Sequence, residues 1–542
     1  MKKRRLSLML ALLVASCLFA AGCKKDPATT PETKGTELTT SNFNEEGLPI
    51  VNEKVTLKIV SPKAPLAPNY NEMTLFKNLE ETTNVHIEWN NIPEADYQEK
   101  KNLLLASGDL PDAFYNAGFS DFDLTKYSED GTIIPLDDLI DKYMPNVKKL
   151  LENNPDIKDF ITSPDGKIYS LPHGEEMGSG QEWIAANPYF FFINKNWLDK
   201  LGMEVPTTLD ELHDVLVAFR DKDPNGNGKK DENPMSFIHM WWCADIGNFF
   251  GSFGLGDPND HLAVIDGKIV YTAAQEQYKE AIAYFHKWVE EGLIDKESFT
   301  QTSDPNALFA KGKTPEVTLG SFIWWEETEI VGPDREKDYV LVGPLKGPNG
   351  EQKIARMNGS PFSRGSFVIT KDNKYPEVTA RWIDQHYEPK MTAQMHWGPI
   401  GEVYEEKDGK LVNLPLPEGV AMGEFRQKVA PNGVGVVTAE DFETIVDMEE
   451  RAKVRIERVK TFIPYMEKEN IPALFFTPEE VEKKNLIESD LKDYVNKKRA
   501  QWLMSGGIEK EWDSYINDLK KIGYEEYVKI IQTAYDRQVS GK

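Results

Sequence analysis

Apolar and polar residues alternate over 55–60, where Val55, Leu57 and Ile59 are interleaved with Thr56 and Lys58. This period of two predicts a strand, ended by Ser61-Pro62. Over 70–82 the apolar positions Met73, Leu75, Phe76 and Leu79 follow helical spacing, and 85–89 alternates again as a second strand. Residues 94–107 read as a helix closed by Gly108, and 112–115 as a third short strand. Strand, helix, strand, helix, strand in close succession implies right-handed crossovers and a largely parallel sheet, whose ligands bind beyond the strand ends. Further strands are expected at 189–194, 339–342 and 366–370, and helices from about residue 450 to the end. No repeat of solenoid or propeller length is present. The fold class is α/β.

The first residues break this pattern. Lys2-Lys3-Arg4-Arg5 precedes an uncharged run over 6–21, shorter than the roughly 20 residues a membrane span needs, and reads as a secretory signal. Ala20-Ala21-Gly22-Cys23 resembles a bacterial lipobox, although Leu is commoner where Ala20 stands. The resemblance implies removal of residues 1–22 and a diacylglycerol with palmitate-type chains on Cys23; the alternative is an ordinary signal with a fortuitous cysteine. Cys17 leaves with the signal and Cys243 has no partner, so no disulfide is expected. Residues 23–50, rich in Pro, Thr, Glu and Gly, read as a lipidated tether. The body is thus expected outside the cell, lipid-anchored to the cell membrane.

Charge narrows the partners. Among 542 residues, 63 basic and 89 acidic side chains give −26, and loss of the signal takes this to about −30. So acidic a chain cannot neutralise nucleic-acid phosphates, and nucleic acid is excluded as a partner. With 40% hydrophobic and 11% aromatic residues there is ample material for packed cores.

Three passages carry a family resemblance. Leu105-Ala106-Ser107-Gly108-Asp109-Leu110-Pro111-Asp112 is similar to a turn of extracellular solute-binding proteins of carbohydrate ABC importers. Residues 193–202 (INKNWLDKLG), running into 206–212 (PTTLDEL), resemble a second landmark, and 397–404 (WGPIGEVY) a third, with Ile400 in place of the usual acidic residue. The resemblance implies a periplasmic-binding-protein type II fold: two α/β lobes, several crossover segments and a ligand cleft between them. By that analogy 51–190 plus 366–450 form lobe one and 191–365 plus 451–542 lobe two, with ABC permease subunits as partners and a monomer expected. Independently, Thr207 or Thr208 can N-cap a helix over 209–219, with Asp210 and Glu211 in its first turn.

Residues 221–232 read DKDPNGNGKKDE, which fits a calcium loop. One register starts at Asp221 and ends at Glu232. The other uses Asp223, Asn225, Asn227, the Lys229 carbonyl, Asp231 and Glu232. The second is preferred, because Asn233-Pro234 prevents an exiting helix at Glu232. It is also similar to the short calcium loop of family members that bind acidic polysaccharides. Ca²⁺ is the expected cofactor, in a structural role.

Twelve tryptophans and their placement point to a sugar. Trp241-Trp242 and Trp324-Trp325 are adjacent pairs, Trp183 lies in a Gly/Ser-rich loop, and Trp397 sits in a turn. An indole face against a pyranose C–H face buries apolar area and leaves the hydroxyls to polar neighbours. On a strand, adjacent residues face opposite sides, so each pair would send one ring to a given surface. Candidate polar partners are Glu182, His173, Asn358, Arg364, Glu326 and Glu327, with His173 read as a loop residue without a metal role. Lys353, Arg356 and Arg364 could form a local basic patch.

No H-E-x-x-H, G-x-S-x-G or nucleotide loop is present, and no catalytic residue is predicted. The expected function is capture of an oligosaccharide outside the cell and its delivery to an ABC permease. The alternative is a surface glycoside hydrolase or polysaccharide lyase using paired carboxylates. The ligand is read as neutral or mildly modified.

Overall fold

The computed structural model describes residues 42–300, 305–417 and 422–540; the signal, Cys23 and the tether up to residue 41 lie outside them. The strands are β1 (Val55–Lys63), β2 (Val85–Pro93), β3 (Ala113–Tyr115), β4 (Leu171–Glu175), β5 (Phe190–Asn194), β6 (Leu262–Ile265), β7 (Lys268–Tyr271), β8 (Ser321–Trp324), β9 (Tyr339–Val342), β10 (Phe362–Ile369), β11 (Tyr404–Lys407), β12 (Lys410–Asn413) and β13 (Gly435–Val437).

Six of them form one sheet in the order β13-β4-β10-β3-β1-β2. β1 runs parallel to both β2 and β3, and β13 parallel to β4. The one exception to the parallel arrangement is β10, which inserts antiparallel between β3 and β4 because it returns from the other lobe. Leu57 and Ile59 of β1 are fully buried in a core that also takes Tyr115, Leu171, Phe367 and Trp382. The second sheet, β8-β5-β9, is antiparallel throughout, a departure from the parallel arrangement expected of the chain's start. Its larger core runs from Tyr189 to Leu345 and is completed by Leu491, Val495, Trp502 and Tyr535 from the C-terminal helices.

Local signals place several boundaries. The helix Glu94–Ser107 ends at Gly108, whose φ of 75° only glycine adopts without strain. Thr208, not Thr207, caps Leu209–Asp221: its hydroxyl accepts the Glu211 N–H at 3.1 Å, and Glu211 reaches back to complete a capping box. The helix expected over 70–82 is divided. Asn69 caps a tight turn at Tyr70–Glu72, Met73 is extended, and the helix proper is Thr74–Thr83.

Residues 42–50 correct the sequence reading. Composition assigns them to the tether, yet Ile50 is fully buried, Phe43 packs edge-on against Tyr143, and the Arg381 guanidinium donates to the carbonyls of Asn44 and Gly47. A polar segment stays ordered when another part of the chain supplies its hydrogen bonds.

Chain passes between the lobes after β4, before β10 and through the residues around 463–476. Arg356 holds these crossings to one another by donating to the carbonyls of Gly180 and Lys468. Deep in the second lobe, Arg499 pairs with Asp245 and lies 3.7 Å from Asp257, with all three side chains at most 2% exposed. Burial would raise the Asp245 carboxyl, but Arg499 beside it holds it below the usual range. A pair so deeply buried loses much more when one partner is removed than it contributes as a pair.

Candidate functional site

A cavity of about 550 Å³ lies where the first sheet's parallel strands end. Pro62 comes from the end of β1, Asn116 and Gly118 from the loop after β3, His173 from β4, and Ser363 and Arg364 from the start of β10. Because β10 runs the opposite way, its beginning lies at the same edge as the other strands' carboxyl ends, the usual place for a ligand of such a sheet. Glu94, Tyr70, Arg426, Gln427 and Asn432 complete the wall.

His173 is therefore a strand residue, not a loop residue. Its Nδ1 lies 2.9 Å from the Gly433 carbonyl, and its ring stacks on His396 with centroids 4.6 Å apart. Burial, and then the neighbouring His396, push the His173 imidazole down to about 3. Behind it, Glu175 accepts from His396 Nδ1 at 2.7 Å and from Arg426 at 3.0 Å. Burial alone would raise this carboxyl, yet these two neighbours hold it down at about 2.

Trp397 adjoins this network, with the Arg426 guanidinium 4.0 Å above its ring. Met177, just past β4, packs into the cluster containing Trp397 and also into the one containing Trp183 and Trp325. The first crossing thus carries the cavity wall into the aromatic cluster of the second lobe. There the tryptophan pairs interleave. Trp241 stacks on Trp324 (6.4 Å, 16°), and Trp242 meets Trp325 edge-to-face (5.2 Å, 62°). Trp324 is core and donates its indole N–H to Glu329 at 2.7 Å. Trp241 packs against the same core. Trp242 is 48% exposed, and Trp325 carries Arg455 4.1 Å over its ring. One ring of each pair is structural, as strand geometry suggests, although Trp241 and Trp242 lie in a turn.

The polar candidates separate on inspection. Arg364 lines the cavity, wedged between the rings of Phe160 and Phe475 (4.3 and 4.5 Å). Asn358 is structural, since its amide donates to Asp260 and the Leu262 carbonyl and its oxygen accepts from Ile471. Glu326 is paired to Arg451 and Arg455, and Glu327 to Arg458. Glu182 is exposed, 3.6 Å from Lys460. The basic patch does not form. Lys353 pairs with Glu467, Arg356 serves the crossings, and Arg364 lies 3.5 Å from Asp121. Sequence reading missed Glu94, Asn116 and Arg426. The first two follow strand ends and were open to that signal, whereas Arg426 arrives from a distant helix and carried none.

In the 221–232 loop, Asp221 turns away and is bound by Arg220. Asp223 instead folds over the loop, accepting backbone N–H groups from Gly226, Asn227 and Gly228 at 3.0, 3.1 and 2.9 Å. Asp231 accepts from Asn225 and Asn227. Glu232 Oε1 is buried without a hydrogen-bond partner among the described residues, and burial, followed by the charges of Asp223 and Asp231, raises its carboxyl. Among the described residues no three acidic, His or Cys side chains converge as a metal-holding group; the loop's side-chain and carbonyl oxygens are nevertheless of the kind a hard cation takes.

The family model for bacterial extracellular solute-binding proteins matches residues 64–389. The chain belongs to this family. FusA of Streptococcus pneumoniae, a fructooligosaccharide ABC transporter substrate-binding protein, is 41% identical over all of both chains. Its structure in complex with kestose superposes with a TM-score of 0.81 at 42% identity, covering 90% of this chain and 100% of that one. A FusA "EF-hand mutant" in complex with fructo-nystose matches equally well, at 41% identity and a TM-score of 0.81 over 90% of this chain and 100% of the other. Lipoprotein LipO of Bacillus subtilis is 26% identical over 89% of this chain and 92% of its own. Membership accounts for the two-lobed architecture. No helix among the described residues is long and apolar enough to cross a membrane.

The Glu175 network makes a testable contribution to stability. Its carboxyl is depressed in the folded state, so the stabilisation is complete above about pH 4.5 and is lost as pH falls towards 2. Glu175→Gln is expected to lower stability by about 3 kcal/mol at pH 7, with the gap from wild type closing as urea titrations move down through pH 4 and 3. A gap independent of pH would show that the charge is not its source.

Proposed function

We propose that this solute-binding protein captures a neutral oligosaccharide of the fructooligosaccharide class outside the cell and delivers it to an ABC permease. The observation that carries the reading is the short run of chain that joins the polar cavity to the aromatic cluster. The strand β4, which supplies His173 to the polar cavity at the first sheet's strand ends, leads within a few residues to Met177, which packs against the clusters containing Trp397 and, on the second lobe, Trp183 and Trp325. Full-length similarity to FusA supports the ligand class. Closure of the lobes over the ligand would follow from tighter binding to the closed state. The hydrolase or lyase alternative falls with membership of a family of binding proteins.

Ca²⁺ is proposed in the 223–232 loop, held by Asp223, Asn225, Asn227, the Lys229 carbonyl, Asp231 and Glu232. The orphaned Glu232 oxygen supports this, as does the EF-hand named for FusA. The ion would offset the charges of Asp223, Asp231 and Glu232 on drawing them together. The N-terminus is proposed to carry lipid at Cys23, as the lipobox and the resemblance to a lipoprotein suggest.

Three outcomes are expected. In calorimetry, kestose and nystose bind with a 1:1 saturable heat and without new reducing ends, and Trp242→Ala weakens binding about tenfold by removing the exposed indole face. An absence of binding across a panel of neutral oligosaccharides would sink the reading. Adding Ca²⁺ in the millimolar range raises the melting temperature by about 2–4 °C, and Glu232→Gln removes that response. A melting temperature indifferent to both Ca²⁺ and chelator would exclude the ion. Finally, Cys23→Ser releases the protein from cells into the medium; retention on the membrane would rule out this anchor.

A further inference from the structure

The charged groups of the lobe-one cavity are not equally available to a ligand. Its two cations are already matched. Arg364 lies 3.5 Å from the Asp121 carboxylate with its side chain 6% exposed, and Arg426 donates to Glu175, to Asn432 and to the His396 carbonyl. The groups left over are mostly acceptors. Asn116 uses its amide nitrogen on the carbonyls of Pro431 and Asn432, at 3.2 and 3.0 Å, which leaves Oδ1. Glu94 lines the cavity and makes no ion pair among the described residues. The remaining donors, the Gln427 amide and the Ser363 hydroxyl, are neutral.

His173 is the most constrained of the acceptors. A carbonyl oxygen can only accept, so the ring nitrogen 2.9 Å from Gly433 O carries the hydrogen. Burial and the stacked His396 keep the ring neutral, which leaves Nε2 a lone pair on a residue that lines the cavity. No described residue donates to it. Strand pairing fixes its place, with His173 opposite Ser363 of β10 on one side and Gly435 of β13 on the other.

We propose that this cavity is the subsite that selects a neutral, hydroxyl-bearing sugar residue and rejects a uronate, with His173 Nε2 accepting a hydrogen from a ligand hydroxyl. The inference rests on the cleft being the saccharide site. A hydroxyl satisfies the Nε2 lone pair, whereas a carboxylate would set a second acceptor and a negative charge against Nε2 and Glu94, where no unpaired cation compensates. His173 is thus a specificity residue acting through one atom, and its tautomer is set by a backbone carbonyl in the loop before β13, 260 residues further along the chain.

The test uses the full chain and calorimetric titration with kestose and trigalacturonate. Wild type is expected to bind kestose and not trigalacturonate. His173→Phe, which keeps a ring to stack on His396, is expected to lose about tenfold or more in kestose affinity, and His173→Gln, which restores an acceptor, to recover part of it. Nitrogen spectra of histidine-labelled wild type, with the His173 signal identified by its loss in the Gln variant, give a readout independent of variant folding. Nε2 should resonate as an unprotonated nitrogen and move when kestose is added. Kestose affinity in His173→Phe within threefold of wild type, equal binding of trigalacturonate, or an Nε2 signal unmoved by saturating kestose would each overturn the inference while leaving oligosaccharide capture standing. Failure of wild type to bind any neutral oligosaccharide would instead overturn capture itself, and the inference with it.

Discussion

The architecture depends on the insertion of β10 between β3 and β4. The first sheet is not complete until a strand arrives from beyond the first long stretch of the second lobe, pairing Phe367 with Tyr115 on one side and Leu171 on the other. The register shifts between Ser363 and Phe367, and at this irregularity Gly365 adopts φ +69° with its missing Cβ position 2.2 Å from the Phe119 carbonyl oxygen. Any side chain there would collide with backbone. Such an irregularity re-aims neighbouring side chains, and here it coincides with Arg364 entering the slot between Phe160 and Phe475. The same few residues therefore close a sheet, floor a cavity and, through the bond from Arg364 to the Ala473 carbonyl, tie the first lobe to the chain leading into the C-terminal helices.

The two sides of the cleft are chemically unlike, and the difference has a physical basis. The first lobe ends its strands in loops whose polar groups are fixed by backbone partners, so the cavity presents oriented hydrogen-bonding atoms. The second lobe contributes indole rings braced by one another and by arginines, so it presents flat apolar area. A neutral saccharide has faces to suit both, with C–H patches for the rings and hydroxyls for the loops. Arg455 over Trp325 on the second lobe, and Arg426 over Trp397 on the first, hold these indoles in place, and carboxylates neutralise both cations at close range. The strong negative charge of the chain thus stays mainly on its surface, apart from the buried pairs.

Much of the fold was legible wherever local physics sets the outcome. The helix Glu94–Ser107 followed from its spacing and its terminal glycine, and Leu209–Asp221 from its threonine cap. The turn from Asp223 to Glu232 was legible because its polar side chains are neighbours in sequence, and Asp223 folds back onto the N–H groups of Gly226, Asn227 and Gly228. Residues 42–50 were not legible, since their order comes from Arg381 and Tyr143 far along the chain. The basic patch failed for the related reason that Lys353, Arg356 and Arg364 are close in sequence but serve three different partners.

The sequence by itself determined the class of the molecule: an exported α/β chain, too acidic for nucleic acid, rich in indoles and carrying a glycine-rich acidic loop. These properties rest on composition and on interactions spanning a few residues. Tertiary structure alone decided which indole is exposed, which carboxylates are already paired and which nitrogen of His173 is spent on a backbone carbonyl. Gly433, His396 and Arg426 reach that site only when β13 and the helices flanking it fold back onto β4. Hydrogen-bond availability is a property of what remains after such long-range pairing, and so it cannot be read before the chain has closed on itself.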